Sequence, residues 1–228
     1  MSTFCFIPAK IASTRLPQKN VRLLKGKEMM AYSIEAAQQS RVFDEIIVST
    51  ESERIAKIAK KYNAQVPYLR RPELATDPYG VKDVLLDFFE QLPDYKKYDV
   101  VGIVLPTAPL IAPSDIKDAY SQFLSGCEKV LMSLSVTEHN GFRNVEIDSQ
   151  GKVKPIFPDL VLKKSQELPQ TFRINGAITF LNVKEFLIKK GYFFYPMGSY
   201  IMSVERSIDV DNEADFKLAE FYLSKILN

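Results

Sequence analysis

A chain of 228 residues, 46% hydrophobic and 25% charged, can bury a full core and needs no disulfide or metal staple. One histidine (His139), two distant cysteines (Cys5, Cys127) and no tryptophan exclude a multi-histidine metal site, a zinc ribbon and a Cys-x-x-Cys redox centre. The net charge of +2, from 30 basic and 28 acidic residues, argues against a nucleic-acid partner.

In chain order, Thr3–Pro8 (TFCFIP) is a short apolar run that predicts a buried strand. Met29–Ser40 has Met29, Tyr32 and Ala36 at helical spacing. Glu45–Thr50 (EIIVST) predicts a second strand, and Glu53–Tyr62 a helix with Ile55, Ile58, Ala59 and Tyr62 on one stripe. Val81–Leu92 predicts a helix, Asp99–Leu105 a strand, Ser114–Leu124 a helix begun at Pro113-Ser114, and Lys129–Val136 a further strand. This alternation predicts a parallel sheet with right-handed crossovers.

Beyond Glu138 the texture changes. Phe142–Asp148 and Lys152–Phe157, across Gln150-Gly151, predict a hairpin. Asp159–Arg173 is polar and predicts an extended excursion. Ile174–Leu181 and Ser199–Val204 return to strand character. Asn212–Leu227 predicts a closing helix with Phe216, Ala219, Leu223 and Leu227 on one face. The whole, residues 1–228, reads as a single α/β domain: a mostly parallel central sheet with flanking helices, and an arm projecting at about 140–172. No apolar run approaches the roughly 18 residues of a membrane span. The first ten residues lack the basic flank and cleavage site of a signal peptide, and a cytoplasmic location and no membrane partner are expected.

With His and Cys nearly absent, the chemistry must rest on Lys, Arg, Asp, Glu, Asn and backbone amides. The densest polar segment follows the first strand: Pro8-Ala9-Lys10-Ile11-Ala12-Ser13-Thr14-Arg15-Leu16-Pro17-Gln18-Lys19-Asn20. Ligands of open α/β sheets bind beyond the carboxyl ends of strands, and three cations with backbone amides there suit a polyphosphate. Neither a Walker A loop nor G-x-G-x-x-G is present; the plain alternative is a solvated basic loop. Ser207-Ile208-Asp209-Val210-Asp211 has carboxylates at i and i+2, on one side of an extended segment, which suits Mg²⁺. The alternative is that Asp211 or Asn212 caps the last helix. Arg70–Asp77 and Leu105–Leu110 belong to the same sheet edge, unless each is only a turn. Gln166–Pro169 and Phe172–Ala177 form a further polar group, in which Asn175-Gly176 has a turn as its plain reading.

These segments, in this order, resemble the acylneuraminate cytidylyltransferase family, the CMP-sialic acid synthetases and their relatives. Ile7–Asn20 is similar to I-P-A-R-x-G-S-x-x-x-P-x-K-N, and Phe43–Thr50 to F-D-x-I-I-V-S-T. Arg71–Asp77 is similar to R-P-x-x-L-A-x-D, and Leu105–Leu110 to L-x-P-T-S-P-L-R. Gln166–Ile178 is similar to Q-x-L-P…N-G-A-I, and Ser207–Asp211 to S-I-D-I-D. The departures are Lys10 for the usual Arg, Ala12 for Gly, Ile111 for Arg, Ser165 for Arg, and Pro78-Tyr79-Gly80 near the base. Lys10 offers a point charge where a bidentate fork is usual.

The resemblance implies a Rossmann-like nucleotidyltransferase fold with a dimerisation arm. It implies transfer of a cytidylyl group from CTP to a sialic-acid-like sugar acid, with Mg²⁺ and release of pyrophosphate. Lys10, Lys19 and Asp211 are then the catalytic candidates, with Ala9, Lys10, Ser13, Arg15, Lys19, Asn20 and Arg71 on the nucleotide. Arg143, Lys164, Gln166, Arg173, Asn175, Tyr192 and Phe193 are substrate contacts, and Asp209 and Asp211 hold the metal. A homodimer follows from the arm. The competing readings are a nucleotidyltransferase for another sugar acid or polyol and a homologue that binds nucleotide with weakened turnover.

Overall fold

The computed structural model describes residues 1–227. Residue 228, and the side chain of Leu227 that the periodicity assigns to the apolar face, lie outside the described residues. The main sheet contains β1 (Thr3–Pro8), β4 (Glu45–Ser49), β5 (Val100–Val104), β6 (Val130–Val136), β9 (Phe172–Asn182) and β10 (Gly198–Met202), in the spatial order β10-β6-β9-β5-β1-β4. Two short hairpins, β2/β3 (Leu23–Leu24, Lys27–Glu28) and β7/β8 (Val145–Ile147, Val153–Pro155), stand apart from it.

Strand alternation builds a core on each face. Phe4 and Phe6 of β1 join Val101, Ile103, Phe88 and Phe89 on one side; Cys5 and Ile7 join Val100, Val104, Ile34 and Phe180 on the other. The helices α1 (Met29–Ser40), α2 (Glu53–Lys61), α3 (Val81–Gln91), α4 (Pro113–Ser125), α5 (Val183–Lys189) and α6 (Glu213–Leu227) flank the sheet. Their starts follow the capping rules. Ser52 accepts from the Ile55 amide, Pro113 sits in the first turn of α4, and Asn182 accepts from the Glu185 amide.

The sheet is mostly parallel, as expected, with one exception: β9 runs antiparallel to both β5 and β6. The cause is the arm. The chain leaves β6 at Val136 and returns at Phe172 directly opposite it, with the Thr137 amide donating to the Thr171 carbonyl at 3.1 Å. Everything between is a long hairpin insertion, which reverses direction as any hairpin does. The Asn175-Gly176 pair is likewise no turn but the site of a register shift inside β9, with Gly176 at φ +72°.

A third apolar cluster positions the functional residues. Leu16 from the first loop, Leu24, Met29, Leu110, Val210 and Phe216 pack together. They pin the loop after β1 against the segment that enters α6.

Candidate active site

The loops after β1 and β5 enclose a cleft of about 210 Å³, lined by Pro8, Lys10, Lys19, Asn20, Arg70, Tyr79, Gly80, Leu105 and Thr107. Lys10 Nζ donates to the Ala75 carbonyl at 3.2 Å, so the 70–77 segment shares the sheet edge with the first loop as expected. Asn20 is buried and donates through Nδ2 to the Lys10 carbonyl at 2.8 Å, while its Oδ1 has no protein partner. A buried acceptor without a donor is costly and is available to a ligand hydroxyl or amine.

The cleft opens beside a second cavity of about 590 Å³, lined by Arg15, Thr137, His139, Arg173, Asn175, Asp209 and Asp211 among others. Lys19 joins the two. Its ammonium donates to the Val210 carbonyl at 2.9 Å and to Asp211 Oδ1 at 2.8 Å, and Arg15 Nη2 reaches Asp211 Oδ2 at 2.9 Å. Val210 is fully buried, and its amide donates to the Thr107 carbonyl at 2.8 Å, so Asp209 and Asp211 flank it and face the same cavity. The capping alternative is decided here: Asn212 Oδ1 accepts from the Ala214 and Asp215 amides, and Asp215 accepts from the amides of Asp211 and Asn212. The Asp211 carboxylate takes no part in the cap.

The two carboxylates differ electrically. Burial pushes the Asp209 pKa up, with the negative Asp211 adding to the shift and Thr107 and Lys19 opposing it. Burial would also raise Asp211, but the hydrogen bond and charge of Lys19 and the charge of Arg15 outweigh it and hold Asp211 below the usual carboxylate range. Asp209 Oδ1 is buried without a partner. A hard, unpartnered oxygen beside a second carboxylate fits a divalent cation. Among the described residues no group of three or more His, Cys, Asp or Glu is arranged for a metal. The pair alone therefore suits an ion that keeps waters and phosphate oxygens as its other ligands.

Asn175 is held by the bulge of β9. Its Oδ1 accepts from the Ser133 hydroxyl at 2.5 Å and from the Ala177 amide at 3.1 Å, and Ser133 Oγ accepts from the Ile178 amide at 2.9 Å. This satisfies backbone donors that the irregular ladder leaves over. The Asn175 Nδ2 donor remains buried and unpartnered in a residue that lines the second cavity, next to Arg173.

Several expected site residues stand elsewhere. Arg71 points away from the cleft and pairs with Asp87 at 2.8 Å, while its neighbour Arg70 lines the cleft. Residues 69–70 run extended beside the end of β4, where successive side chains face opposite ways. The Ala9 amide is taken by the Ser49 carbonyl at 3.0 Å, and Ser13 lines neither cavity. Tyr192 packs on the α3 cluster and stacks obliquely on the exposed Phe193; neither lines the second cavity. Arg143, Lys164 and Gln166 lie on the arm, exposed. The Arg143 guanidinium donates to the Lys163 carbonyl at 2.8 Å and borders a polar cavity of about 420 Å³ with His139 and Asn140, adjoining the second cavity. Arg70 and Thr107 lie in segments expected at this sheet edge but receive no role of their own from the sequence, and Glu51 carries no sequence signal. A further cavity of about 730 Å³ between α1 and α6 is mostly apolar and holds none of the predicted site residues.

The chain resembles several characterised proteins over nearly its full length. It is 36% identical to the CMP-N,N'-diacetyllegionaminic acid synthase of Legionella pneumophila, across 96% of this chain and 95% of that protein. It is 30% identical to the pseudaminic acid cytidylyltransferase of Campylobacter jejuni, across 96% and 95%. Its fold matches the solved structure of a CMP:2-keto-3-deoxy-manno-octonic acid synthetase complexed with CTP, with a TM-score of 0.75 at 15% identity over 99% of this chain and 100% of that one. A family model described as cytidylyltransferase matches residues 4–184. With the Lys19–Asp211 junction at the edge of a Rossmann-like sheet, this makes the chain a nucleotidyltransferase and a member of the cytidylyltransferase family.

Proposed function

We propose that the protein couples CTP to a sialic-acid-like 2-keto sugar acid, giving the CMP-sugar and pyrophosphate. The observation that carries this reading is the junction itself: Lys19 bridges the cleft beyond β1 and a polar cavity through Asp211, with Asp209 beside it. The relatives named for legionaminic and pseudaminic acid support the acceptor class.

In this reading the acceptor's anomeric hydroxyl oxygen forms a bond to the α-phosphorus of CTP. The bond from that phosphorus to the β-phosphate bridging oxygen breaks, pyrophosphate leaves with its electron pair, and the hydroxyl proton passes to solvent water. Lys10 and Lys19 hold the phosphate chain as positive charges, and Arg15 adds a third cation from the rim. Charge stabilisation and alignment lower the barrier without a covalent enzyme intermediate. Asn20 offers its free Oδ1 to the nucleotide, and Arg70, not Arg71, lines the nucleotide side. Arg173 and the Asn175 Nδ2 donor orient the acceptor. Asp209 and Asp211 are the residues suited to hold Mg²⁺, which when bound neutralises phosphate charge and acidifies the acceptor hydroxyl.

The arm is the proposed dimer contact. Ile147, Val153 and Leu162 are 71%, 64% and 93% exposed, more apolar surface than a projecting hairpin keeps in water without a partner. A second copy covering it brings Arg143, Lys164 and Gln166 toward the neighbour's acceptor cavity. The function is tested by incubating the protein with each nucleoside triphosphate, Mg²⁺ and a panel of nonulosonic acids and 3-deoxy-octulosonate. Pyrophosphate release with CTP and a nine-carbon acid is expected; release in no combination would overturn the reading.

A further inference from the structure

The structure assigns Glu51 as a positioning residue that holds both walls of the nucleotide cleft; this rests on the cytidylyl-transfer reading above. Glu51 stands two residues beyond the end of β4, and its side chain is only 9% exposed. Oε1 accepts from the Ile11 amide at 2.8 Å, one residue beyond Lys10. Oε2 accepts from Arg70 Nη2 at 2.8 Å. One carboxylate therefore ties the phosphate-side loop to the segment that carries Arg70.

The rest of this corner is organised around the same strand end. The Ala9 amide donates to the Ser49 carbonyl at 3.0 Å, the Arg70 amide to the Thr50 carbonyl at 2.9 Å, and Arg70 Nη1 to the Ser49 carbonyl at 3.2 Å. The first two bonds fix backbones; the third and the Glu51 pair together fix the guanidinium. Arg70 is 4% exposed and its Nε has no partner. Burial lowers the Arg70 pKa, and the charge of Glu51 opposes that shift. A buried cation deprived of its carboxylate seeks another anion or leaves the pocket. Either movement displaces a lining residue of the cleft, and the lost Ile11 contact frees the Lys10 loop at the same time.

Glu51 touches neither cavity, so its effect is confined to the nucleotide step. Binding of CTP alone, measured by calorimetry, reads this without turnover. Wild-type protein is expected to bind CTP, and Glu51→Gln to bind it about tenfold or more weakly, with the KM for the acceptor acid within about twofold. Glu51→Asp, which keeps the charge on a shorter stem, recovers part of the loss. The double variant Glu51→Gln/Arg70→Met removes the stranded charge; its melting temperature returns toward wild type while CTP binding stays weak. Recovery of binding together with melting temperature would reduce Glu51 to a folding role and overturn the inference, as would wild-type CTP affinity in Glu51→Gln. Where Glu51→Gln is insoluble, the same comparison is made with Glu51→Asp, for which unchanged affinity is the contradicting result. Wild-type protein that binds no CTP would remove the functional reading itself, a distinguishable failure.

Discussion

Asp211 makes ion pairs with two cations, whereas Asp209 carries a buried oxygen with no partner. The proposed roles follow from that asymmetry: Asp209 would offer a ready ligand site to a metal ion, and Asp211 would gain one if bound phosphates drew Lys19 and Arg15 toward themselves. Asp211→Asn keeps the shape but removes the charge from the junction, and turnover is expected to fall by about 100-fold or more in a pyrophosphate-release assay. Full activity would refute the metal assignment. Asn175→Asp keeps the acceptor that holds the Ala177 amide and replaces the free donor. The KM for the acid is expected to rise about tenfold with the KM for CTP unmoved, read from initial rates with each substrate varied. The i, i+2 carboxylates and the cation-rich loop were legible from residue types and spacing, whereas Asn175, whose plain reading is a turn, entered through the family resemblance. Arg70 was not legible, because the motif match falls on its neighbour Arg71, the one that precedes Pro72, and leaves Arg70 without a role. Only the extended path beside β4 decides which of them faces inward.

Among the elements, the main-sheet strands and the α-helices of the first 136 residues follow the hydrophobic pattern closely, since buried parallel strands are short apolar runs and their helices carry clear stripes, whereas the two-residue strands β2 and β3 are too short to show one. The pattern carries no direction, so the reversal at β9 had to come from the arm that precedes it. Helix α5, seven residues after Asn182, was too short for periodicity to register. Gly102 in β5 is a place where the sheet admits no side chain. A Cβ there would stand 2.5 Å from Phe43 Cε1 and 2.9 Å from Phe180, and those two rings stack at 6.0 Å. Gly102→Ala is expected to destabilise the protein by about 1–3 kcal/mol in urea unfolding; an unchanged midpoint would mean that the rings part without cost.

For the whole molecule, the arm separates the single chain from the assembly we propose. Its strands β7 and β8 are exposed along nearly their whole length, and such a hairpin is marginal alone. Light scattering coupled to size exclusion is expected to give twice the 26.0 kDa chain mass at micromolar concentration. Ile147→Lys combined with Leu162→Lys is expected to give one chain mass. A wild-type monomer would leave the arm without its proposed partner. The central claim is narrower: one cleft holds CTP while the adjoining cavity presents a sugar acid to it. Its most direct measurement is mass spectrometry of the product with parallel pyrophosphate quantitation, using CTP, Mg²⁺ and a nonulosonic acid. The account predicts a CMP conjugate of the acid and one pyrophosphate per conjugate, both absent when the acid is left out. Pyrophosphate released without the acid, or CTP and acid recovered unchanged, would contradict it.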